Sequence, residues 1–418
     1  MIQKPRGTMD IMPEETPVWQ YIEKAAREVA SMFGFKEIRT PTFEATELFQ
    51  RGVGDTTDVV QKEMYTFIDR EERSFTLRPE GTASVVRALI ENGRCSDAMP
   101  LKLFYIINCF RYEKPQAGRS REFFQFGTEM FGAQDAAADS DIIALAYTLI
   151  KRLGIKDVHL HINSIGCPEC RPAYRKALQE YFASRKDELC ETCRGRLETN
   201  PMRILDCKSP ICSEIAAGAP KTLDHLCPEC EEHFEKLKSL LTAMGIEYEV
   251  DPHIVRGLDY YTKTVFEFIA PVIGAQSTVC GGGRYDGLMK QLGGPALPGI
   301  GFGMGLTRIM LAMQASGAFK PENPAPRLYI ASMGAPAQKK AAEIVTALRG
   351  GKIFAEYDLV GRSLKAQMKY ADKQKAAFTL ILGDSELESG KAVLKNMATS
   401  EQTEISIDDV ARLTEIIA

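Results

Sequence analysis

Thirteen residues, Arg256-Gly-Leu-Asp-Tyr-Tyr-Thr-Lys-Thr-Val-Phe-Glu-Phe268, constrain the chain more than any other stretch. They set a fixed cation, a carboxylate and two phenols at the head of a strand-like run. Such a run is costly to bury unless its polar groups meet partners. It therefore reads as the wall of a pocket that grips a small polar molecule. The cysteines are a second constraint: there are eleven, and eight fall between Cys167 and Cys230, mostly as close pairs. Met1 to Pro13 has no apolar core of a signal peptide, and no apolar run reaches the roughly 18 residues of a membrane span. A cytoplasmic protein with no membrane partner is the expectation, and there clustered thiols point to a metal before disulfides. The formal net charge of -4 gives no global positive field, so a nucleic-acid partner requires local basic patches.

The length of 418 residues favours two to three domains. Apolar residues recur at helical spacing over 15–33, and Gly34 follows where a helix ends. Thr76 to Thr82 reads as a strand entering a turn, with a helix from Thr82 to Ile90. Leu103 to Arg111 and Glu122 to Phe131 read as antiparallel partners. A helix over 139–153 and a strand over 155–163 precede a compositional shift. Residues 164–250 hold the cysteine pairs among helical segments and look inserted. Strand-like runs return at 254–268 and 277–282. A glycine-rich segment follows, with a helix from Thr307 to Met313. Pro321, Pro324 and Pro326 mark a linker, and the remainder alternates strand and helix as a small α/β domain.

Three constellations carry chemistry. In Phe110-Arg-Tyr-Glu-Lys-Pro-Gln-Ala-Gly-Arg-Ser-Arg-Glu-Phe-Phe-Gln125, one strand ends in Arg111 and another returns through Gln125 and Glu129. Guanidinium groups gathered at one loop suit polyphosphate, and Phe123 suits stacking on a base. A solvated hairpin with a charged tip is the plainer reading. In Cys280-Gly-Gly-Gly-Arg-Tyr-Asp-Gly-Leu288, three glycines allow close backbone approach to a ligand, though such a run is more often a turn or bulge. In Gly299-Ile-Gly-Phe-Gly-Met-Gly-Leu-Thr-Arg308, alternate glycines bare one strand face for a flat ring. Arg308 then sits in the first turn of a helix, where a cation opposes the macrodipole unless an anion binds there.

With the opening run, these segments resemble the histidyl-tRNA synthetases, within the class II aminoacyl-tRNA synthetases. The resemblance spans nearly the whole length, from Pro5-Arg-Gly-Thr-Met-Asp10 onward. The Arg111 hairpin and Gly299 to Arg308 are similar to motifs shared across the class. The Arg256 run and Gly281 to Leu288 resemble signatures peculiar to the histidine enzymes. The resemblance implies an α+β fold: an antiparallel-sheet catalytic domain with a helical cysteine-rich insertion, then a small α/β anticodon-binding domain. The expected layout is catalytic at 1–163 and 251–316, insertion at 164–250, linker at 317–326 and anticodon domain at 327–418.

The resemblance also implies residue roles. Glu80, Gly81 and Thr82 lie at the α-amino end of the substrate histidine. Gln125 and Glu129 complete the amino-acid pocket, Tyr260 lines it, and Glu129 and Tyr261 read the imidazole nitrogens. Arg111 contacts the α-phosphate of ATP and the histidine carboxylate. Arg256 stands near the α-phosphate, so Arg111 and Arg256 are the expected catalytic residues. Glu113 and Phe123 belong to the ATP site, and Arg119 and Arg308 hold the β- and γ-phosphates, with Mg2+ bridging phosphate oxygens. Histidine is joined first to AMP and then to its tRNA. A site that satisfies a polar ring rejects apolar analogues, so no editing domain is needed. Lys365, Lys369 and Lys373 recur at i, i+4, i+8 on one helical face, either a strip for RNA phosphates or a solvated surface. A homodimer pairing around residues 30–60 is expected.

The cysteines exceed the family pattern. Cys167/Cys170, Cys190/Cys193 and Cys227/Cys230 are C-x2-C pairs, and Cys207 lies near Cys212. Eight thiols suit one or two tetrahedral zinc sites. Vestigial ligands, buried free thiols and redox pairs are the alternatives. His225 and His233 flank the last pair as further candidate ligands. Cys95, Cys109 and Cys280 stand alone and read as core residues. The competing function is a non-catalytic regulatory subunit of ATP phosphoribosyltransferase built on the same fold. That group lacks the anticodon domain and several signature residues, whereas Arg111, Arg256 and Arg308 are all present here. A zinc or redox sensor built on a synthetase is a third reading.

Overall fold

The computed structural model describes residues 1–418 apart from 55, 56, 117, 206, 208, 255, 319 and 418. The chain divides into two units, Met1–Pro321 and Glu322–Ala418. In the first, α1 (Thr16–Met32) buries Val18, Ile22, Ala25 and Val29 on one face, as their spacing requires. Gly34, at φ 80°, turns the chain out of the helix. The later helices are α2 (Thr46–Val53), α3 (Thr82–Glu91), α4 (Ala136–Arg152), α5 (Arg171–Ala183), α6 (Glu191–Thr199), α7 (Pro210–Ala217), α8 (Pro228–Ala243), α9 (Leu288–Gln291) and α10 (Leu306–Ala315).

The strands are β1 (Lys36–Glu37), β2 (Phe43–Ala45), β3 (Tyr65–Ile68), β4 (Ser74–Leu77), β5 (Leu101–Phe110), β6 (Glu122–Phe131), β7 (His159–Ser164), β8 (Glu249–Val250), β9 (Thr262–Ile269), β10 (Thr278–Arg284) and β11 (Gly299–Gly305). Eight of them form one sheet in the order β1-β5-β6-β11-β10-β9-β7-β8. From β5 to β7 every pairing is antiparallel, while β1 and β8 join the edges in parallel. One face presents Phe104, Phe126, Phe266 and Phe302 to a core completed by Ile142, Leu237 and Ile309. The opposite face carries the candidate site. Strands β2, β4 and β3 make a separate small sheet.

Arg284, at the end of β10, is fully buried. Its guanidinium meets Asp139 of α4, with Nε 3.1 Å from Oδ1, and also Asp286 and the carbonyls of Ala133 and Asp135. His233 of α8 reaches the same Asp139 at 2.8 Å. A buried charge pair of this kind needs such full satisfaction to be tolerated.

Residues 164–250 are helical but not walled off from the sheet. Tyr174, Leu178, Phe182, Ile204 and Ile215 make a local core. Phe234, Leu237 and Leu241 of α8 instead join the main core, and β8 extends the main sheet. Two strands begin later than their alternation indicates. The run expected from 254 becomes strand only at Thr262, after a bend at Gly257 and Leu258 and a turn at Asp259 and Tyr260. The run expected from 155 becomes strand only at His159, after Asp157 takes a φ of 55°.

The second unit holds β12 (Leu328–Ser332), α11 (Ala335–Gly350), β13 (Ala355–Tyr357), α12 (Leu364–Lys373), β14 (Phe378–Leu382), α13 (Asp384–Ser389), β15 (Lys391–Asn396), β16 (Gln402–Ser406) and α14 (Val410–Ile417). Its sheet runs β13-β12-β14-β15-β16, parallel among the first three strands and antiparallel after them. Lys365, Lys369 and Lys373 are all exposed on α12.

Candidate active site

Register builds the floor of the site. Tyr105 of β5 faces Gly127 of β6, Gly127 faces Gly303 of β11, Gly303 faces Gly281 of β10, and Gly281 faces Glu267 of β9. Three glycines in one row leave a trough between a phenol and a carboxylate. The trough opens into a cavity of about 200 Å³. The glycines mostly make room for side chains. A Cβ on Gly281 would lie 2.5 Å from the Arg256 guanidinium, and one on Gly303 would lie 2.2 Å from Gln125. Of the Gly281–Gly283 run, Gly281 lines the cavity, while a Cβ on Gly282 or Gly283 would meet neighbouring backbone. The same packing narrows the bare face expected on β11. Gly299 and Gly301 are covered by Tyr285 and Glu129, and only Gly303 and Gly305 of that series line the cavity.

The cavity lining includes Glu80, Thr82, Gln125, Tyr260 and Tyr261. Glu80 accepts the backbone N–H groups of Thr82 (2.6 Å) and Ala83 (2.8 Å), which fixes it at the start of α3. Burial raises its pKa, and those N–H groups oppose the rise. Gly81 is not part of the lining. A Cβ there would lie 2.4 Å from the Tyr105 ring, so Gly81 gives Tyr105 its place. Glu129 lies beneath the lining rather than on it. Its carboxylate accepts from Thr82 Oγ1 (2.7 Å), Tyr105 OH (2.9 Å) and Tyr285 OH. Burial pushes the Glu129 carboxyl up to about 8, with the hydroxyl donors holding back the rise. Tyr260 and Tyr261 pack with ring centroids 4.7 Å apart, and Tyr260 meets Tyr285 at 5.6 Å.

The lining also includes Arg111, Glu113, Arg119, Phe123 and Arg308, of which the charged groups are electrostatic neighbours of one another. Arg111 donates Nε to the carbonyl of Pro79 (2.8 Å), and its Cζ lies 5.4 Å from the centre of the Phe123 ring. Arg119 Nε lies 2.6 Å from a Glu113 oxygen. Arg308 donates to the carbonyls of Gly118 (2.9 Å) and Thr278 (2.7 Å). Burial, then the nearby Arg119 cation, lowers the Arg308 pKa. Crowded cations at low solvent access are the electrostatic mark of an anion site.

Arg256 lines the same cavity. It pairs with Glu267, and its Cζ lies 5.7 Å from the centre of the Tyr261 ring. Burial works against its charge, yet the Glu267 carboxylate and Tyr261 hold its pKa above the ordinary arginine value. Thr278 Oγ1 donates to the second Glu267 oxygen at 2.9 Å. Tyr105, Tyr285 and Glu267 are the supporting residues that sequence reasoning missed. Glu267 lies inside the Arg256 run and Tyr285 inside the glycine run, so only their partners were hidden.

The eight clustered cysteines divide into two groups of four: Cys167, Cys170, Cys227 and Cys230 outside, Cys190, Cys193, Cys207 and Cys212 nested within. All eight are free thiols, and the sulfurs of each group lie within 4.8 Å of one another. Cys167 Sγ is 3.7 Å from Cys170 and 3.8 Å from Cys227, and Cys190 Sγ is 3.9 Å from Cys207. A disulfide needs about 2.05 Å. A tetrahedron of Zn–S bonds of about 2.3 Å has edges of about 3.8 Å. Backbone N–H groups point at sulfur in both groups, Cys227 N to Cys170 at 3.1 Å and Cys190 N to Cys212 at 3.2 Å. The Cys193 N–H draws the Cys190 thiol down to about 7. The donor set fits a thiophilic divalent metal. The histidines stay outside: His233 is held by Asp139, and His225 packs on Tyr174. Cys109 and Cys280 are buried, while Cys95 is only partly so.

An antiparallel sheet bearing an arginine hairpin, a glycine-lined trough and a helix-start arginine defines the class II aminoacyl-tRNA synthetase architecture. Comparison with known proteins narrows this. The profile described as "Histidyl-tRNA synthetase" matches residues 7–309, and "Anticodon binding domain" matches 327–415. The chain is 56% identical to a histidine--tRNA ligase of Acetivibrio thermocellus over 98% of each chain. It is 53% identical to one of Caldanaerobacter subterraneus subsp. tengcongensis over 99% of each. The apo S. aureus histidyl-tRNA synthetase structure superposes with a TM-score of 0.84 at 39% identity, covering 100% of both chains. The chain belongs to the histidyl-tRNA synthetase family, and it is an aminoacyl-tRNA ligase.

Proposed function

We propose that the chain joins L-histidine to its tRNA in two steps, through histidyl-adenylate. The observation that carries this reading is one cavity lined by the phenols Tyr260 and Tyr261, the carboxylate Glu80, and the arginines Arg111, Arg119, Arg256 and Arg308. The histidine ring sits against Tyr260 and Tyr261, above the Glu129 group. Its ammonium lies toward Glu80 and Thr82. Arg111 spans the histidine carboxylate and the α-phosphate of ATP, with the adenine on Phe123. Arg119 and Arg308 hold the outer phosphates. The carboxylate oxygen attacks the α-phosphorus and pyrophosphate leaves. Arg256, kept charged by Glu267, neutralises negative charge as it builds on the phosphoryl oxygens. The terminal ribose hydroxyl of the tRNA then attacks the activated carbonyl. Catalysis rests on positioning and electrostatics. Mg2+ suits the phosphate end, where Glu113 supplies a hard oxygen ligand and the ion would screen phosphate charge.

The regulatory-subunit reading is set aside, since the anticodon-binding profile covers 327–415 and the arginines are in place. Each thiolate group takes one Zn2+, and eight free thiols fit a reducing cytoplasm. No helix among the described residues is long and apolar enough to cross a membrane. Exposed Phe43 and Ile68 on the small sheet suit a homodimer contact continuous with residues 30–60. Charging of a total tRNA pool with labelled histidine tests the overall reading. Acylation confined to the histidine tRNA is expected, and failure to acylate it would overturn the proposal.

A further inference from the structure

The outer thiolate group lies directly behind the wall that carries Tyr260 and Tyr261. That wall contains an irregularity. Lys263 has a φ of 50°, in the left-handed region, and is 6% exposed. A long side chain seldom adopts such backbone, and it persists only where surrounding structure enforces it. At the same place the β9–β10 register slips, from Gly283 opposite Val265 to Arg284 opposite Thr262. A bulge next to a site re-aims the side chains beside it, and here those include Tyr261.

Four contacts on residues 261–263 come from residues within two positions of a cysteine of the outer group. Gly166, before Cys167, accepts the Lys263 N–H at 2.8 Å, and Ile165 N–H returns a bond to the Lys263 carbonyl at 2.8 Å. Arg171, after Cys170, donates to the Tyr261 carbonyl. Glu229, before Cys230, meets Lys263 Nζ at 2.7 Å. Gly166 is itself left-handed at φ 66°, and a Cβ there would lie 2.6 Å from Cys170 Cβ. Of the two chain segments that supply the four sulfurs, the first thus holds the strained backbone and the second holds the Lys263 side chain.

We infer that a zinc-class divalent ion in the Cys167/Cys170/Cys227/Cys230 group is a strut for the histidine pocket, fixing Tyr261 through Arg171, Gly166 and Glu229 acting on residues 261–263. This rests on the function proposed above and on zinc at this group. Without the ion, four sulfurs lose their common centre and the clamping segments can separate. The ion makes no contact with substrate. Arg171, Glu229 and Lys263 are positioning residues. The effect falls on histidine recognition before it falls on ATP, because Arg111 and Arg119 lie in the segment joining β5 to β6 and Arg308 lies on α10, all outside residues 261–263.

The test begins with the whole purified chain. Metal released by a mercurial is titrated with a chromophoric chelator, and two zinc ions per chain are expected. The double variant C167S/C227S is expected to carry one. ATP–pyrophosphate exchange is then measured against histidine and against ATP. Loss of the outer ion is expected to raise the histidine KM about tenfold, the usual scale for groups that orient a site through neighbours, with the ATP KM little changed. Re-adding zinc to chelator-treated wild type restores the histidine KM. Should the cysteine variant fail to fold, E229Q and R171A serve, since they cut the clamps and keep the sulfurs. Each is expected to retain two zinc ions and raise the histidine KM, and E229D partly to restore it. A purified chain that holds no metal and whose histidine KM does not change when zinc is added would overturn the strut and leave the synthetase reading standing. So would zinc loss, E229Q and R171A that all leave the histidine KM unchanged. Absence of exchange in the intact zinc-bound chain would instead strike the proposed function itself.

Discussion

Arg256 and Glu129 show how burial decides charge in opposite directions. Arg256 keeps its cation because Glu267 stands against it. R256A is expected to lower the adenylation kcat about 10²–10³-fold, the scale for removing one group aimed at developing charge, while histidine binding largely survives. Single-turnover adenylate formation checks this, and an unchanged rate would refute the role of Arg256. Glu129 has no cation among its hydrogen-bond donors, and burial lifts its pKa to about 8. The folded state therefore binds this proton more tightly than the unfolded chain does. Its contribution is fully favourable below the unfolded carboxyl value of about 4.3 and is lost as pH rises to about 8. Urea unfolding at pH 5 and pH 8 checks this. E129Q is expected to lose less stability over that interval than wild type, and an equal loss would contradict the burial argument. At this scale much was legible. Arg111, Arg256, Tyr260 and Tyr261 stood out because cations and phenols are conspicuous in strand-like runs. Glu267, Tyr105 and Tyr285 were not assigned, because their meaning lies in register between strands far apart in the chain.

Elements were legible where period and punctuation agreed. The Thr82–Glu91 helix and the paired runs at Leu101–Phe110 and Glu122–Phe131 follow their patterns closely. The turn before β9 was hidden, because Gly257 and Asp259 sit among residues that alternate as a strand would. The short α13 and the mostly exposed β16 carry little apolar signal at all. Nor does C-x2-C spacing choose among groupings, and the nested arrangement of the eight cysteines had to come from the fold. Arg284 ties β10 to α4, a contact no local pattern announces. D139A leaves this guanidinium buried with Asp286 as its remaining carboxylate, and a loss of about 3–5 kcal/mol is expected in equilibrium unfolding. A change under 1 kcal/mol would show that the pair is not what joins these elements.

For the whole molecule, the insertion does more than decorate the sheet. Its helix α8 enters the main core, its last residues extend the sheet, and its cysteine segments grip the wall of the site. The exposed face of the small sheet bears on assembly. Phe43 stacks edge-on with Phe67 and Phe75 at 5.7 and 5.6 Å, yet remains 48% exposed. Sedimentation of wild type at twice the chain mass is expected, with F43E shifted toward the monomer; a wild-type monomer would contradict the proposed homodimer. The most direct measurement is ATP–pyrophosphate exchange against each of the twenty amino acids. Exchange with histidine alone is the result expected of a cavity lined by Tyr260, Tyr261 and Glu80, with Glu129 beneath the lining, together with Arg111, Arg119, Arg256 and Arg308. Exchange with another amino acid, or with none, would contradict it.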